Sequence, residues 1–581
     1  MPNSRTIETS QSADLVTFKI FIEGAEISSA YQVKNISVEK EINRIPFAQL
    51  VFFDGEASSQ DFNLSNEDLL IPGKKIEIKA GYHNDEETIF KGIIIKHSIK
   101  IRESNSVLIV ECRDEAVKMT IGRKSNFYYE SKDSDIIEEI IGKYSLENEI
   151  ESTSFLNKEM VQYRTSDWDF IMTRAQLNGK ICTVDDGKIK ISKPDFSQSE
   201  IETVAFGSTL LDFDAEMDAR NQFNTITAYG WNASEQEIVE TEANDPRISL
   251  NGNISTSDLA DVIGLENLEL KHGGNYNSAQ LQNWSDAKNV FQQLSKTRGR
   301  VKFQGIPAVK PGTILKLEGV GDRFNGKIFI SAVRHEIANG DWTVDAEFGM
   351  NPKWFSETYD ISELPAAGII PAVSGLQIGV VSQLESDPDG EHRILVKIPI
   401  INNNEQGIWT RVATLDAGNN RGSFFLPEIG DEVIVGFIND DPNHAVILGM
   451  LHSSAKPAPL IASDDNHEKG FVTRSEMKLI FNDEKKSIII ETPAGKKVTI
   501  DEDSGVIKIE DENRNVITMD NSGIAMESGK DFSIKATGDC NIEAMNVTVK
   551  ANALFKAEGN EGAEVSTSAI AVLKGSLVQI N

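Results

Sequence analysis

The sequence predicts a mainly β protein with an N-terminal region of two β-barrel-like subdomains and short helices, an OB-fold, and a C-terminal trimeric, triple-stranded β-helix. Three observations carry this prediction. Segments rich in β-branched and aromatic residues dominate residues 1–365, five short strands crowd into residues 375–455, and short strand-like units recur every seven to ten residues within residues 470–581. A repeat of that period is typical of a solenoid or an array.

The first β-rich stretch predicts a small antiparallel barrel. Its strand-like segments are residues 18–22, 48–53, 75–79, 90–95 and 107–112, with turns at Pro72-Gly73 and Asn84-Asp85 between some of them. β-branched and aromatic residues at this density favour strands, and such a set of strands with turns fits a small antiparallel barrel.

Two helices are predicted after this barrel. Residues 133–142 carry acids in the first turn and isoleucine pairs at helical spacing. The second helix begins after the cap Ser166 and stops at Gly179. Asp167 and Asp169 resemble an acid pair, but acids are favoured in a first helical turn, so we interpret them as structural. The predicted buried stripe of this helix is Trp168, Ile171, Met172 and Ala175.

Residues 200–350 return to strands and predict a second barrel fused to the first. Residues 225–231 and 327–333 are its clearest strands, and a helix is expected near residues 284–296. A linker with proline and alanine follows at residues 364–371. The next strands, at residues 375–381, 393–398, 409–413, 432–437 and 445–450, fit an OB-fold.

The C-terminal repeat gives each unit two apolar residues at a spacing of two, so both side chains share one face of a short strand. Such a stripe is too thin to form a core from one copy. We therefore predict that three copies share an apolar axis, although a single-chain β-helix and an ordinary sheet domain are alternatives. The predicted axis residues are Ile500, Ile509, Met519, Ile534, Ile542 and Val549.

The net charge, and the lack of motifs among the reactive side chains of the sequence, argue against several classes of function. The formal net charge is −32, which argues against a nucleic-acid partner. Three scattered cysteines predict neither a disulfide framework nor a metal site, and Cys540 is expected to be a small core residue. The histidines lack metal-ligand spacing, and no nucleophile motif is present. Aspartates in the repeat fall in turns, where backbone bonding favours them. We expect no cofactor, no metal and no catalytic residue.

Two motifs resemble a known family. Residues 422–437 read Gly-Ser-Phe-Phe-Leu-Pro-Glu-Ile-Gly-Asp-Glu-Val-Ile-Val-Gly-Phe, followed by Asp441-Pro442 and Val446-Ile-Leu-Gly449. Residues 163–170 read Tyr-Arg-Thr-Ser-Asp-Trp-Asp-Phe. With the repeat, these motifs resemble the spike proteins of contractile injection systems, namely VgrG of type VI secretion, the hub and spike proteins of phage tails, and the spikes of extracellular particles.

The resemblance implies a homotrimer with a phage tail hub-like region at residues 1–365 that caps the inner tube. It also implies baseplate partners, a conical PAAR-like tip protein, effector cargo and transient contact with a target membrane. The predicted docking residues for the tip are Leu577, Val578 and Ile580 at the end of the repeat. Residues 450–477 are too few for an inserted lysozyme domain, so we expect a mechanical role without enzymatic activity.

The expected route follows from the same resemblance. The first ten residues lack an apolar signal-peptide region, so we expect a protein made in the cytoplasm and carried outside with the contractile particle.

The alternative function is a polysaccharide-binding or polysaccharide-cleaving protein with a β-helical arm.

Overall fold

The computed structural model describes residues 15–103, 105–274, 276–402, 404 and 406–580. Strands greatly outnumber helices among them, which confirms the mainly β fold class. None of the helices in these residues is long and apolar enough to cross a membrane. The chain divides into two compact units, Met1–Gly375 with Phe437–His444 and Leu376–Gly436 with Ala445–Asn581.

The first unit is built on strands with short helices between them. Its strands are β1 Val16–Ile22, β2 Ala25–Glu26, β3 Val33–Glu41, β4 Phe47–Phe53, β5 Lys75–Tyr82, β6 Asp85–Ile101, β7 Ser106–Arg113, β8 Lys124–Lys132, β9 Glu147–Ile150, β10 Leu156–Thr165, β11 Ile181–Asp185, β12 Lys188–Ser192, β13 Thr203–Ala205, β14 Leu210–Met217, β15 Thr225–Asn232, β16 Glu237–Glu242, β17 Asn267–His272, β18 Thr297–Gln304, β19 Ile314–Glu318, β20 Gly326–Ala338 and β21 Asp341–Phe348. Its α-helices are α1 Asp133–Gly142, α2 Asp167–Leu177, α3 Thr256–Ile263, α4 Ser278–Leu294 and α5 Phe355–Thr358, and 3₁₀ turns lie at Glu115–Thr120, Pro365–Gly368 and Ile438–Asp440.

The two predicted barrel regions share one continuous sheet. The strand order is β14-β18-β21-β20-β3-β4-β7-β6-β5-β1-β2, so β20 of the second region pairs antiparallel with β3 of the first. Each region keeps its own core. Phe90 and Ile78 are fully buried in one core, and Val301 and Leu315 are fully buried in the other. The two regions are therefore joined by a hydrogen-bonded ladder and not only by a linker.

The helix α2 begins after the cap Ser166, as predicted. The Ser166 hydroxyl accepts a hydrogen bond from the amide of Asp169 at 3.0 Å. Asp167 does more than favour the helix dipole, because its carboxylate is buried. It accepts hydrogen bonds from Gln162 at 2.8 Å and from Lys124 and Tyr144 at 2.6 Å each. Burial alone would raise the pKa of Asp167, but these bonds outweigh it and lower that pKa. The motif at residues 163–170 thus contains a buried anchor between β10, β8 and α2.

The second unit begins with a closed barrel, which confirms the predicted OB-fold. The strands run in the order β22-β23-β24-β28-β27 around the barrel. Gly379 allows the close approach inside it, because an added Cβ would lie 2.5 Å from Val396. The barrel strands and the small hairpin β25-β26 are β22 Gln377–Gln383, β23 Ile394–Lys397, β24 Ile408–Val412, β25 Ala417–Gly418, β26 Arg421–Gly422, β27 Glu432–Phe437 and β28 Ala445–Met450.

A seven-stranded antiparallel sheet follows, in which each strand pairs with the next along the chain. This sheet meanders and does not coil into a single-chain β-helix. Its strands are β29 Glu468–Val472, β30 Lys478–Asn482, β31 Ser487–Glu491, β32 Lys497–Asp501, β33 Val506–Glu510, β34 Val516–Asp520 and β35 Gly523–Glu527.

The part of the repeat beyond Glu527 differs from the prediction. The predicted repeat extends to residue 581 and includes Ile534, Ile542 and Val549, but no strand forms in the described residues 528–580. A strand needs a hydrogen-bonded neighbour, and the described residues 528–580 form no strand ladder with another segment of the chain. The ladder within one chain therefore ends at β35, whose outer edge has no partner strand among the described residues.

Candidate trimer interface on the C-terminal sheet

One face of the sheet β29–β35 is apolar along its length. Side chains alternate between the two faces of a strand, and directly opposed residues share a face. Ile500 lies opposite Ile488 on one side and Ile507 on the other. Lys469 on β29 is the charged exception. We call the following residues the apolar face: Phe471, Leu479, Phe481, Ile488, Ile490, Val498, Ile500, Ile507, Ile509, Ile517, Met519, Ile524 and Met526.

Three of the predicted axis residues lie on this face. Ile507 stands between Ile500 and Met519 in the ladder, and Ile509 lies opposite Ile517. The register therefore brings Ile500, Ile509 and Met519 onto one surface, as an axis lined by several copies would require.

The apolar face is open to solvent in the single chain. Ile500 is 45% exposed, Ile490 is 52% exposed and Ile524 is 68% exposed. Contiguous apolar surface of this extent marks an interaction site in a soluble protein, whereas scattered apolar residues do not. The face is thus suited to burial against another surface of the same kind.

The opposite face of the sheet is polar around these positions. Thr499 lies opposite Lys508, and Lys508 lies opposite Thr518. The Lys508 ammonium also contacts the Glu510 carboxylate at 2.6 Å on the same face. The sheet therefore presents one apolar and one largely hydrated side, which is the pattern of a wall that faces a shared core.

The aspartates of the turns bind backbone amides of their own turns. Asp501 accepts a bond from the amide of Ser504 at 3.1 Å, and Asp511 accepts bonds from the amides of Asn513 at 2.8 Å and Asn515 at 2.9 Å. These amide donors stabilise the carboxylates and lower the pKa of Asp501 and of Asp511. Their geometry gives these acids a turn-forming role. Among the described residues, no group of three or more acidic, histidine or cysteine side chains is arranged to hold a metal ion.

The other predicted site residues lie beyond β35. Ile534, Ile542 and Val549 are exposed, and so are Leu577, Val578 and Ile580. Cys540 was expected in a core but is exposed, and its segment forms no strand. The assignment of these residues to an axis and to a docking platform remains a prediction.

The beginning of the interface was not predicted from the sequence. The predicted axis residues begin at Ile500, whereas β29, β30 and β31 already contribute Phe471, Phe481 and Ile488 to the apolar face. A usable signal was present. Ile488-Ile-Ile490 is a β-branched run bounded by Ser487 and Glu491, and the 479–481 segment alternates like the later units.

Comparisons with known proteins agree with this architecture. Residues 377–452 match the family model of the type VI secretion system/phage-baseplate injector OB domain. Residues 487–555 match that of the phage baseplate V C-terminal trimerisation domain. An OB barrel followed by a trimerisation domain is the organisation of a VgrG-like spike protein, and this is the class that the barrel and the sheet define.

The N-terminal region identifies the family. Residues 12–339, more than half of the chain, match the family model of the Alg8 N-terminal domain. The chain therefore belongs to the Alg8 N-terminal domain family, with the OB and trimerisation domains following it.

Individual relatives match only part of this chain. The chain is 24% identical over 207 residues to the type VI secretion system spike protein VgrG1a of Pseudomonas aeruginosa, covering 32% of this chain and 31% of the relative. It is 33% identical over 113 residues to the spike protein VgrG3 of Vibrio cholerae, and this match covers 18% of this chain and 11% of that relative. The matches thus span less than a third of these relatives. The 43 kDa tail protein of prophage MuSo2 from Shewanella oneidensis is 10% identical over 58% of this chain and 98% of that protein, with a TM-score of 0.44.

Proposed function

We propose that this protein is the homotrimeric spike at the tip of a contractile injection system. In this proposal the N-terminal region caps the inner tube and contacts baseplate proteins, and three C-terminal arms form a rod that punctures the target envelope. The rod carries a conical tip protein and serves as a mount for effector cargo. The role is mechanical and needs no catalytic residue.

The observation that carries the proposal is the exposed apolar face. A single chain leaves this face in water at a free-energy cost of about 25 cal/mol per Å² of apolar surface. Three copies can bury it together around one axis. The match of residues 487–555 to a trimerisation domain supports this arrangement, and the VgrG-like class supports a place in a contractile particle that is released or fired from the cell.

A mass measurement in solution tests the proposal. Multi-angle light scattering of the full chain should give three times the 64.1 kDa of one copy. Deletion of residues 478–581 removes most of the sheet and the tail, and should give monomers or weak oligomers. A stable full-length monomer would contradict the proposal. Negative-stain images of the particle that co-purifies with the protein should show it at one end of a tube.

The polysaccharide alternative is not favoured. A protein of that kind could use aspartates along the arm to bind or cleave its ligand, but Asp501 and Asp511 accept hydrogen bonds from amides of their own turns. The function that the surface supports best is therefore assembly.

A further inference from the structure

The loop between β26 and β27 places two adjacent phenylalanines at the surface of the second unit. Phe424 is 83% exposed and Phe425 is 60% exposed. Large aromatic side chains in this position normally lie in a core or an interface. The OB core does not use these rings, because it is filled by the inward residues of the barrel strands.

The loop is held in a defined conformation. At its start, Gly422 has a φ of +137°, and an added Cβ would lie 2.4 Å from the carbonyl oxygen of Asp416. The Ser423 amide donates to the same carbonyl at 2.9 Å. At its end, the Glu428 amide donates to the Asp431 carboxylate at 2.9 Å. Both ends are fixed, so the two rings are presented in water at little further cost in conformational entropy on binding.

The loop is also joined to the C-terminal sheet. The ring of Phe425 stacks on that of Phe471 with centroids 5.3 Å apart and planes 16° apart. The Arg474 guanidinium contacts the Glu428 carboxylate at 2.8 Å. Phe471 is the first residue of the apolar face and lies opposite Leu479. The apolar surface therefore continues without a break from the sheet onto this loop.

We propose that residues 423–430 pack against a neighbouring copy of this chain in the trimer. The contact between copies then begins at the OB domain, before residues 487–555 that match the trimerisation domain. The inference rests on the proposed trimer and adds a contact to it. A second copy is the occupant because the loop extends the same apolar face that three copies bury. If an unrelated partner bound the loop, it would have to occupy part of a continuous apolar surface whose remainder contacts the neighbouring copy.

Photo-crosslinking in the full chain tests the contact. The photoreactive residue p-benzoylphenylalanine replaces Phe424 in one protein and Thr499, on the polar face, in a control. Irradiation of the Phe424 protein should give covalent dimers and trimers on a denaturing gel, and the Thr499 control should give few. Light scattering of the same samples reports the oligomeric state. A trimer without cross-links at residue 424 overturns this inference alone, whereas a monomer overturns the proposed trimer as well.

A substitution measures how much the contact contributes. Phe424 has little packing within its own chain, so Phe424→Ser should leave the barrel folded and lower the Tm of the trimer by about 2–4 °C. Ile461→Ser changes another exposed apolar residue of the same unit, outside the loop and the apolar face, and should leave that Tm unchanged. An unchanged Tm for Phe424→Ser, or an equal loss for both variants, would overturn the inference.

Discussion

The substitution Ile500→Asp tests which face of the sheet is buried between copies. Ile500 lies in the middle of the apolar face, between Ile488 and Ile507. Thr499 is its neighbour in sequence but points to the opposite face, across from Lys508. The pair Ile500→Asp and Thr499→Asp therefore introduces the same charge on the same strand, once toward the proposed axis and once away from it.

The expected cost follows from the exposure of Ile500 in one chain. Full burial of an isoleucine is worth about 1.5–3 kcal/mol. Since 45% of the residue is still exposed, its burial by the other copies contributes roughly 1 kcal/mol per copy. An unpaired buried carboxylate costs a further 3–5 kcal/mol, roughly, per copy. Three copies together lose on the order of 10 kcal/mol or more of association free energy. Thr499→Asp gains an opposite charge across the strand and should change stability by less than about 1 kcal/mol.

The pH dependence makes this prediction sharper. Burial and two neighbouring carboxylates would raise the pKa of an aspartate at position 500 above its free value of about 3.9. The loss of assembly is then complete above the raised pKa and shrinks as the pH falls toward the free value, because the trimer takes up protons. Light scattering and thermal melting at pH 7.5 and pH 4.5 should show partial recovery for Ile500→Asp, relative to the unchanged protein at each pH, and no such recovery for Thr499→Asp. Equal melting temperatures for the two variants at pH 7.5 would refute the assigned facing.

The remaining predictions concern the first unit and the end of the chain. Burial and the nearby charges of Lys40 and Lys310 lower the pKa of His335 to about 3. The unfolded chain therefore binds a proton at this residue at a higher pH than the folded chain does, and stability should fall as the pH drops below about 6.5. His335→Gln should flatten that slope in thermal melts. The lowered pKa of Asp167 means that its stabilising effect exists above about pH 3.9 and is lost as the pH falls through the lowered value. Asp167→Asn should therefore lower the Tm at pH 7 and matter less near pH 3. Removal of residues 577–581 should keep the trimer but abolish pull-down of a conical tip protein, and undiminished pull-down would show that the tip docks elsewhere.

Local patterns were sufficient to predict much of the fold. The helix at Asp133–Gly142 and the barrel strands Glu432–Phe437 and Ala445–Met450 agree with the structure to the residue, because capping, turns and alternation are all encoded locally. The pairing of β20 with β3 could not be predicted in the same way. It joins residues such as Val333 and Lys40 that are far apart in sequence, and no local pattern specifies a partner strand.

Part of the candidate interface could be predicted, because side-chain alternation is also a local pattern. The prediction was incomplete, because strand pairing is not encoded locally. A spacing of two identified Ile500, Ile509 and Met519, which the ladder brings onto one face. The alternation does not reveal which units pair within one chain. Units up to Glu527 have turns and five-residue strands that close hairpins, whereas those around Ile534 and Ile542 do not form strands in a single chain. A local pattern does not specify a partner strand, so the alternation alone could not show where the ladder within one chain ends.

The charge of the chain sets a requirement on any trimer. Three copies carry three times −32, and the resulting repulsion opposes assembly, although screening at physiological salt limits it to a range of about 8 Å. The turn acids Asp501 and Asp511 lie at the ends of strands and bind backbone amides, so they stay clear of the apolar face. The only charge that the pairing places on that face is Lys469 on β29, and it forms an ion pair with Asp483. Neither these acids nor Lys469 places an unpaired charge on the apolar face, so the proposed contact between copies relies on apolar burial, which acts at short range and depends little on net charge.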